Sequence, residues 1–134
     1  MSHLMEFLLG RSTDCNVVTE VALQGFPQPF KIKSISEAEH RRLRETCQRS
    51  YLDPKTHQKV TETDVDLLNN RMIVACCVDP NFKDADIQSR FGMKGGEFLV
   101  ETLLKPFEYL DLLLAVQAVN GCGDINEVRN AAKN

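Results

Sequence analysis

Tryptophan is absent from this chain of 134 residues, and the other aromatic residues are seven phenylalanines and two tyrosines. We therefore expect a core built mainly from aliphatic side chains. The length suits one domain, 1–134, which can bury enough surface to fold without a disulfide or metal. The net charge of −3 gives no general attraction to nucleic acid or to anionic membranes.

Cysteine is present in an odd number and without metal-binding spacing. The five residues are Cys15, Cys47, Cys76, Cys77 and Cys122, and no C-x-x-C occurs. Adjacent cysteines on a helix point about 100° apart, so Cys76 and Cys77 cannot clamp one ion. Free thiols in a reducing compartment are expected, with no disulfide framework and no zinc site.

Long apolar runs are also missing. The longest, Met72–Val78, is far below the roughly 20 residues of a membrane span. The segment 1–10 has neither a cationic start nor a cleavage site, so we interpret it as a short helix and not as a signal peptide.

The segments that come nearest to known ligand-binding motifs lack residues that those motifs require. Counted from Asp79, an EF-hand loop would need glycine where Asp84 stands and glutamate where Arg90 stands. The segment 92–96, G-M-K-G-G, lacks the G-K-[ST] ending of a phosphate-binding loop. Nothing in the sequence places a histidine beside a cysteine. We predict no enzyme, no cofactor and no metal.

The N-terminal part predicts three kinds of element. Residues 1–15 give a helix and a loop, with apolar residues clustered in 4–9. Alternation before and after G-F-P-Q-P predicts a β-hairpin over 16–35. A capping box of Ser36 and Glu39 starts a charged helix over 36–49, on which Tyr51 continues the narrow apolar face.

The remaining chain, within a helical core of 36–134, predicts mainly helices. Residues 53–56 predict a turn, and residues 59–61 predict a short strand or extended segment. A central helix starts near Thr61 or Thr63 and runs to Val78, before the D-P pair. Short helices follow over 84–91 and from 95 to 104, the latter presenting Phe98 and Leu99. A helix over 106–119 starts with Pro106, and a last one covers 125–132. The fold class is α+β, mainly α, with about five to six helices and a small N-terminal β-hairpin.

The order of the motifs resembles a known family. The chain reads L-x-x-F-L-L, then E-V-A-L-x-G-F-x-x-P-F-K-I-K-x-I-S, then C-V-D-P-N-F-K-D-A-D-I-Q. It closes with G-x-x-G-x-x-x-L-V-x-x-L-L-x-P-x-E-Y-x-x-L-x-x-A-V-Q-x-x-N-G. This order is similar to that of the XkdN-like tail assembly chaperones of long-tailed phages and prophages, over about residues 4–130.

The resemblance implies a non-catalytic assembly factor in the bacterial host cytoplasm that is absent from the mature virion. It implies binding to the tape measure protein, with the tail tube protein as a second partner, and no binding to nucleic acid or membrane. We expect the contact to use apolar residues outside the main helices: Leu4, Phe7, Leu8, Phe26 and Phe30.

Two alternatives remain open at this stage. The same apolar residues would also serve if they cover the protein's own core or form a homo-oligomer. The basic run in helix 36–49 would suit a small regulatory or nucleic-acid-binding protein, although glutamates in the same helix offset its charge.

Overall fold

The computed structural model describes residues 2–11 and 18–122, and these contain six α-helices and five β-strands. The helices are α1 (His3–Leu9), α2 (Glu37–Thr46), α3 (Val65–Cys76), α4 (Ala85–Arg90), α5 (Gly96–Leu103) and α6 (Pro106–Gln117). The strands are β1 (Val18–Val21), β2 (Phe30–Lys33), β3 (Gln48–Leu52), β4 (Lys59–Thr63) and β5 (Cys77–Asp79). The fold class is α+β, mainly α, as predicted, and the expected helix over 125–132 lies outside the described residues.

Strands β1, β2 and β5 form one antiparallel sheet with β2 in the centre. Alternation along β2 explains its position, because Phe30 and Ile32 are buried while Lys31 is exposed. The hairpin predicted over 16–35 is matched only in part, by β1 and β2 within 18–33, and residues 16 and 17 lie outside the described residues. The third strand, β5, follows directly after α3. A two-stranded ribbon is marginal alone, and β5 joins β2 to the helical part of the chain.

The prediction of one charged helix over 36–49 was wrong at its C-terminal end. Helix α2 begins after Ser36, whose hydroxyl accepts from the Glu39 backbone N–H at 3.1 Å, and it ends at Thr46. The Arg71 guanidinium donates to the Thr46 carbonyl at 3.1 Å and also contacts its hydroxyl, which satisfies groups at the helix end.

Strands β3 and β4 pair as a second, separate sheet where the sequence predicted the end of α2, a turn and a short extended segment. Tyr51 therefore lies on a strand and not on a helix. Side chains pair across this ribbon: Gln48 donates to Thr63 at 2.9 Å, and Arg49 lies 2.6 Å from Glu62. The predicted all-helical core over 36–134 is corrected accordingly, since β3, β4 and β5 all lie within it.

Helix α3 is shorter at both ends than predicted. The carboxylate of Asp64 accepts from the Leu67 backbone N–H at 3.2 Å and starts the helix, so neither Thr61 nor Thr63 is its N-cap. The helix ends at Cys76, because Cys77–Asp79 leaves it to pair with β2. The expected end at Val78 missed this change, since an apolar run does not distinguish a buried helix from a buried strand.

The core lies between the three-stranded sheet and helices α3, α5 and α6. Its fully buried side chains are aliphatic or cysteine, including Ile32, Ile73, Leu99, Leu112 and Val116. Helix α5 packs closely on α3: a Cβ on Gly96 would lie 2.8 Å from the Phe82 carbonyl and 3.0 Å from Val74. Only glycine permits this approach. In the described residues, no helix is long and apolar enough to span a bilayer.

Candidate functional site

The cysteines of the described core are structural. Cys47, Cys76 and Cys77 are free and buried. Burial raises the pKa of the Cys76 thiol above 9.0, and it raises the pKa of Cys77 to about 12. A thiol that resists ionisation is a poor nucleophile and a poor metal ligand. Cys76 is completely buried on α3 and packs there as a small apolar side chain.

The acidic segment around Asp79–Asp86 serves local backbone groups. The carboxylate of Asp84 accepts from the Asp86 backbone N–H at 2.8 Å and caps α4. The side chain of Asn81 accepts from the Lys83 backbone N–H at 3.1 Å. Within residues 2–11 and 18–122, no three His, Cys, Asp or Glu side chains converge as metal ligands would.

The basic run of α2 is partly neutralised inside its own helix. Glu37 lies 3.6 Å from Arg41, 3.8 Å from Arg44 and 3.9 Å from His40. These are exposed pairs of modest strength, but they place a carboxylate amid the cations that would meet a phosphate backbone. The arrangement therefore favours a solvated face over a nucleic-acid contact.

Helix α1 is apolar and buries nothing. Leu4, Met5, Phe7, Leu8 and Leu9 are all 49–69% exposed, and no residue of the helix is buried. The Ser2 hydroxyl caps the helix by accepting from the Met5 backbone N–H at 3.0 Å. In the described structure, three of the predicted contact residues, Leu4, Phe7 and Leu8, are therefore exposed and do not cover the protein's own core.

The expected exposure of Phe30 was wrong. Phe30 is only 4% exposed and belongs to the core, because it lies on the inward face of β2. Phe26 is half-buried and packs edge-to-face on Phe30, with ring centroids 4.8 Å apart. Both rings line a cleft of about 280 Å³ beside Asp79 and Pro80, so Phe26 is the ring of the two that a partner can reach.

A further apolar surface lies on α6, where the sequence analysis did not place one. One face of this helix is buried through Leu112, Leu113 and Val116, as predicted. The opposite face carries Phe107, Leu110 and Leu114, which are 81%, 46% and 53% exposed. We call these three residues the α6 outer stripe. Their spacing of i, i+3 and i+7 is visible in the sequence and could have indicated a second apolar face.

Beside the α6 outer stripe is a cleft between α3, α5 and α6. It has a volume of about 430 Å³ and is lined by Asp66, Asn70, Glu101, Leu104, Pro106 and Tyr109. Asn70 is 3% exposed; its amide donates to Glu101 at 2.6 Å and accepts from the Tyr109 hydroxyl at 2.5 Å. Burial first, and then the charges of Asp66 and Glu101, raise the pKa of Tyr109. The cleft is therefore an acidic, prearranged concave site.

The described residues thus present apolar and acidic surfaces suited to binding. The family described as "Phage XkdN-like tail assembly chaperone protein" matches residues 5–133. No curated protein matches the chain.

Among solved structures, the chain is similar to the crystal structure of the protein YqbN. The TM-score is 0.67 at 20% sequence identity, over 90% of this chain and 98% of that one. At this identity the likeness shows the fold alone. The family match spans nearly the whole chain, and the protein belongs to the XkdN-like family of phage tail assembly chaperones.

Proposed function

We propose that this protein is a non-catalytic chaperone that binds the tape measure protein while the phage tail assembles in the host cytoplasm, and that it is absent from the finished virion. The tail tube protein is a second proposed partner. The observation that carries the proposal is helix α1, a capped helix whose five apolar side chains contact no core.

The physical argument concerns what an exposed apolar helix can bind. The tape measure protein is taken to be a long helical chain whose apolar stripes need cover until the tail tube surrounds it. An amphipathic helix binds such a surface through residues at i, i+3 and i+4. Leu4, Phe7 and Leu8 have this spacing, and they present one apolar face from α1. Phe26, at the rim of its cleft, is a second proposed contact.

The test is co-expression with the tape measure protein of the same phage or prophage, followed by affinity capture and gel filtration. We expect a complex that persists at high salt, because apolar burial is not screened by ions. The double variant Phe7→Ala/Leu8→Ala should reduce the captured tape measure protein by about tenfold or more, as hot-spot truncations do.

The matched control is Leu52→Ala on β3, whose side chain is as exposed as those of α1. It should leave capture unchanged. A tape measure protein that stays insoluble and uncaptured with the wild-type chain would contradict the proposed function. If Phe7→Ala/Leu8→Ala captures the tape measure protein as well as the wild-type chain does, α1 is not the binding surface.

A further inference from the structure

Helix α6 is apolar on two opposite faces, and only one of them is covered. A helix on a protein surface ordinarily shows a polar outer face. Here Phe107, Leu110 and Leu114 occupy that position, and a partner that covers them would remove apolar surface from water. Three large side chains in helical register make one continuous stripe, which is what a second helix packs against.

The charged side chains of the two helices nearest the α6 outer stripe are all acidic. Helix α6 contains Glu108 and Asp111, helix α5 contains Glu97 and Glu101, and neither helix contains a lysine or an arginine. Lys105, between the two helices, is the nearest cation in sequence. Asp111 follows Phe107 by four residues and therefore lies on the edge of the stripe.

The acidic cleft and the stripe share helix α6, although none of the three stripe residues lines the cleft. Leu110 lies one turn beyond Pro106, and Pro106 lines the cleft that contains Asp66 and Glu101. Among the described residues, neither carboxylate has a lysine, arginine or histidine partner within 4.0 Å, whereas Glu37 and Glu62 do. The Glu101 carboxylate is held in place by the Asn70 amide at 2.6 Å, so its position at the cleft is fixed before any partner arrives.

We propose that the α6 outer stripe and the carboxylates of Asp66 and Glu101 together bind an amphipathic helix of a partner protein that carries lysine or arginine along one edge. The apolar face of that helix covers Phe107, Leu110 and Leu114. A basic side chain at its edge enters the cleft and pairs with Asp66 and Glu101. Only the identity of the partner rests on the proposed function: the helix is taken to belong to the tail protein that the chaperone binds.

Charge argues against a second copy of this chain as the occupant. The α6 outer stripe of another copy would bring the same carboxylates face to face, which costs free energy. Helix α1 of another copy offers Glu6 and no lysine or arginine, so it cannot supply the charge that the cleft lacks.

The test uses the full chain and two designed peptide probes of about 18 residues with the same leucine stripe. One peptide carries lysines beside the stripe and its twin carries glutamates. Fluorescence anisotropy at low salt should show the lysine peptide binding at least about tenfold more tightly, and added salt should weaken it. Equal affinities for the two peptides would overturn the proposal.

Variants then locate the contact. Asp66→Asn/Glu101→Gln should weaken binding of the lysine peptide by about tenfold. The control is Glu45→Gln, which should leave the affinity unchanged, because Glu45 is exposed on α2 and forms no salt bridge with another described residue. Leu110→Ser/Leu114→Ser should abolish binding, while Leu52→Ser should not. Equal losses in a variant and its control would contradict the assignment, and unchanged circular dichroism of each variant shows that it is folded.

Other occupants give different results. Self-association that Leu110→Ser/Leu114→Ser removes would identify a second copy and overturn the proposal. Peptide binding seen only after removal of residues 123–134 would identify that segment as the occupant and would also overturn it.

The peptide result does not depend on the tape measure protein. If the wild-type chain and Leu110→Ser/Leu114→Ser capture the tape measure protein equally, the proposed function is supported and the proposed role of the α6 outer stripe is contradicted. If the wild-type chain binds the lysine peptide but captures no tape measure protein, the binding surface on α6 is supported and the proposed function is contradicted.

Discussion

At the scale of single residues, one buried amide connects three helices. Asn70 on α3 bonds to Glu101 on α5 and to Tyr109 on α6, and it is the one buried polar residue recorded in the described residues. Removing a buried partner costs about 1–3 kcal/mol because the remaining groups lose their bonds without regaining water. The sequence shows two adjacent asparagines, 69 and 70, and nothing in it tells which one faces the core.

The buried thiol of Cys77 predicts how stability depends on pH. Its pKa is raised from 9.0 to about 12 in the folded chain, so the folded state holds a proton that the unfolded state releases. The stabilising contribution of the Cys77 thiol to the free energy of unfolding is fully present below pH 9 and is lost as the pH rises toward about 12. Between about pH 8 and pH 10.5, the free energy of unfolding should fall by about 2 kcal/mol more in the wild type than in Cys77→Ala.

Urea unfolding at several pH values measures this difference. Val74→Ala is the matched control, because it removes a buried apolar side chain from the same helix region without removing a titratable group. It should keep the wild-type slope. A wild-type slope no steeper than that of Cys77→Ala would contradict the prediction.

At the scale of elements, the helices with one buried face are those that the sequence predicted best. Helix α6 shows Leu112, Leu113 and Val116 buried, and its start at Pro106 is confirmed. Strand β3 was missed, although a turn and an extended segment at 59–61 were predicted, because the ribbon's stability comes from cross-strand pairs such as Arg49–Glu62, which no local pattern reveals. Of the candidate site, the exposure of Leu4, Phe7 and Leu8 was predictable, and the α6 outer stripe and its acidic cleft were not recognised.

The exposure of α1 leads to a prediction about stability. Removal of residues 1–11 should change the melting temperature by less than about 2 °C, since surface changes are usually within about 0.5 kcal/mol. Thermal unfolding followed by circular dichroism measures this. A reference change in the core, Ile32→Ala, should cost about 2–5 kcal/mol. If the truncated chain loses stability on that scale, α1 is docked on the domain.

At the scale of the whole molecule, burial divides the described chain into a stable centre and weakly held margins. The centre is the sheet β1–β2–β5 with α3, α5 and α6, which share the buried residues. The margins are α1 and the β3–β4 ribbon, where every residue of β3 is exposed. Elements with few buried contacts open locally at low free energy.

Hydrogen exchange should reproduce this division. Amides of α3, β2 and α6 should exchange slowest, at a rate set by global unfolding. Amides of α1 and of Gln48–Leu52 should exchange much faster, through local opening. Mass spectrometry of peptic fragments gives the order. Protection of β3 as strong as that of α3 would show that the ribbon unfolds only with the core.

The side chain of Asn120 connects distant parts of this centre. It accepts from the Ile35 backbone N–H at 2.8 Å and donates to the Val116 carbonyl at 2.8 Å and to the Cys76 sulfur at 3.4 Å. Ile35 and Asn120 are 85 residues apart, which a ribosome takes about 4–17 s to translate at 5–20 residues per second. During that time the backbone N–H of Ile35 cannot have its final partner, so this contact of the core forms only after Asn120 has been synthesised.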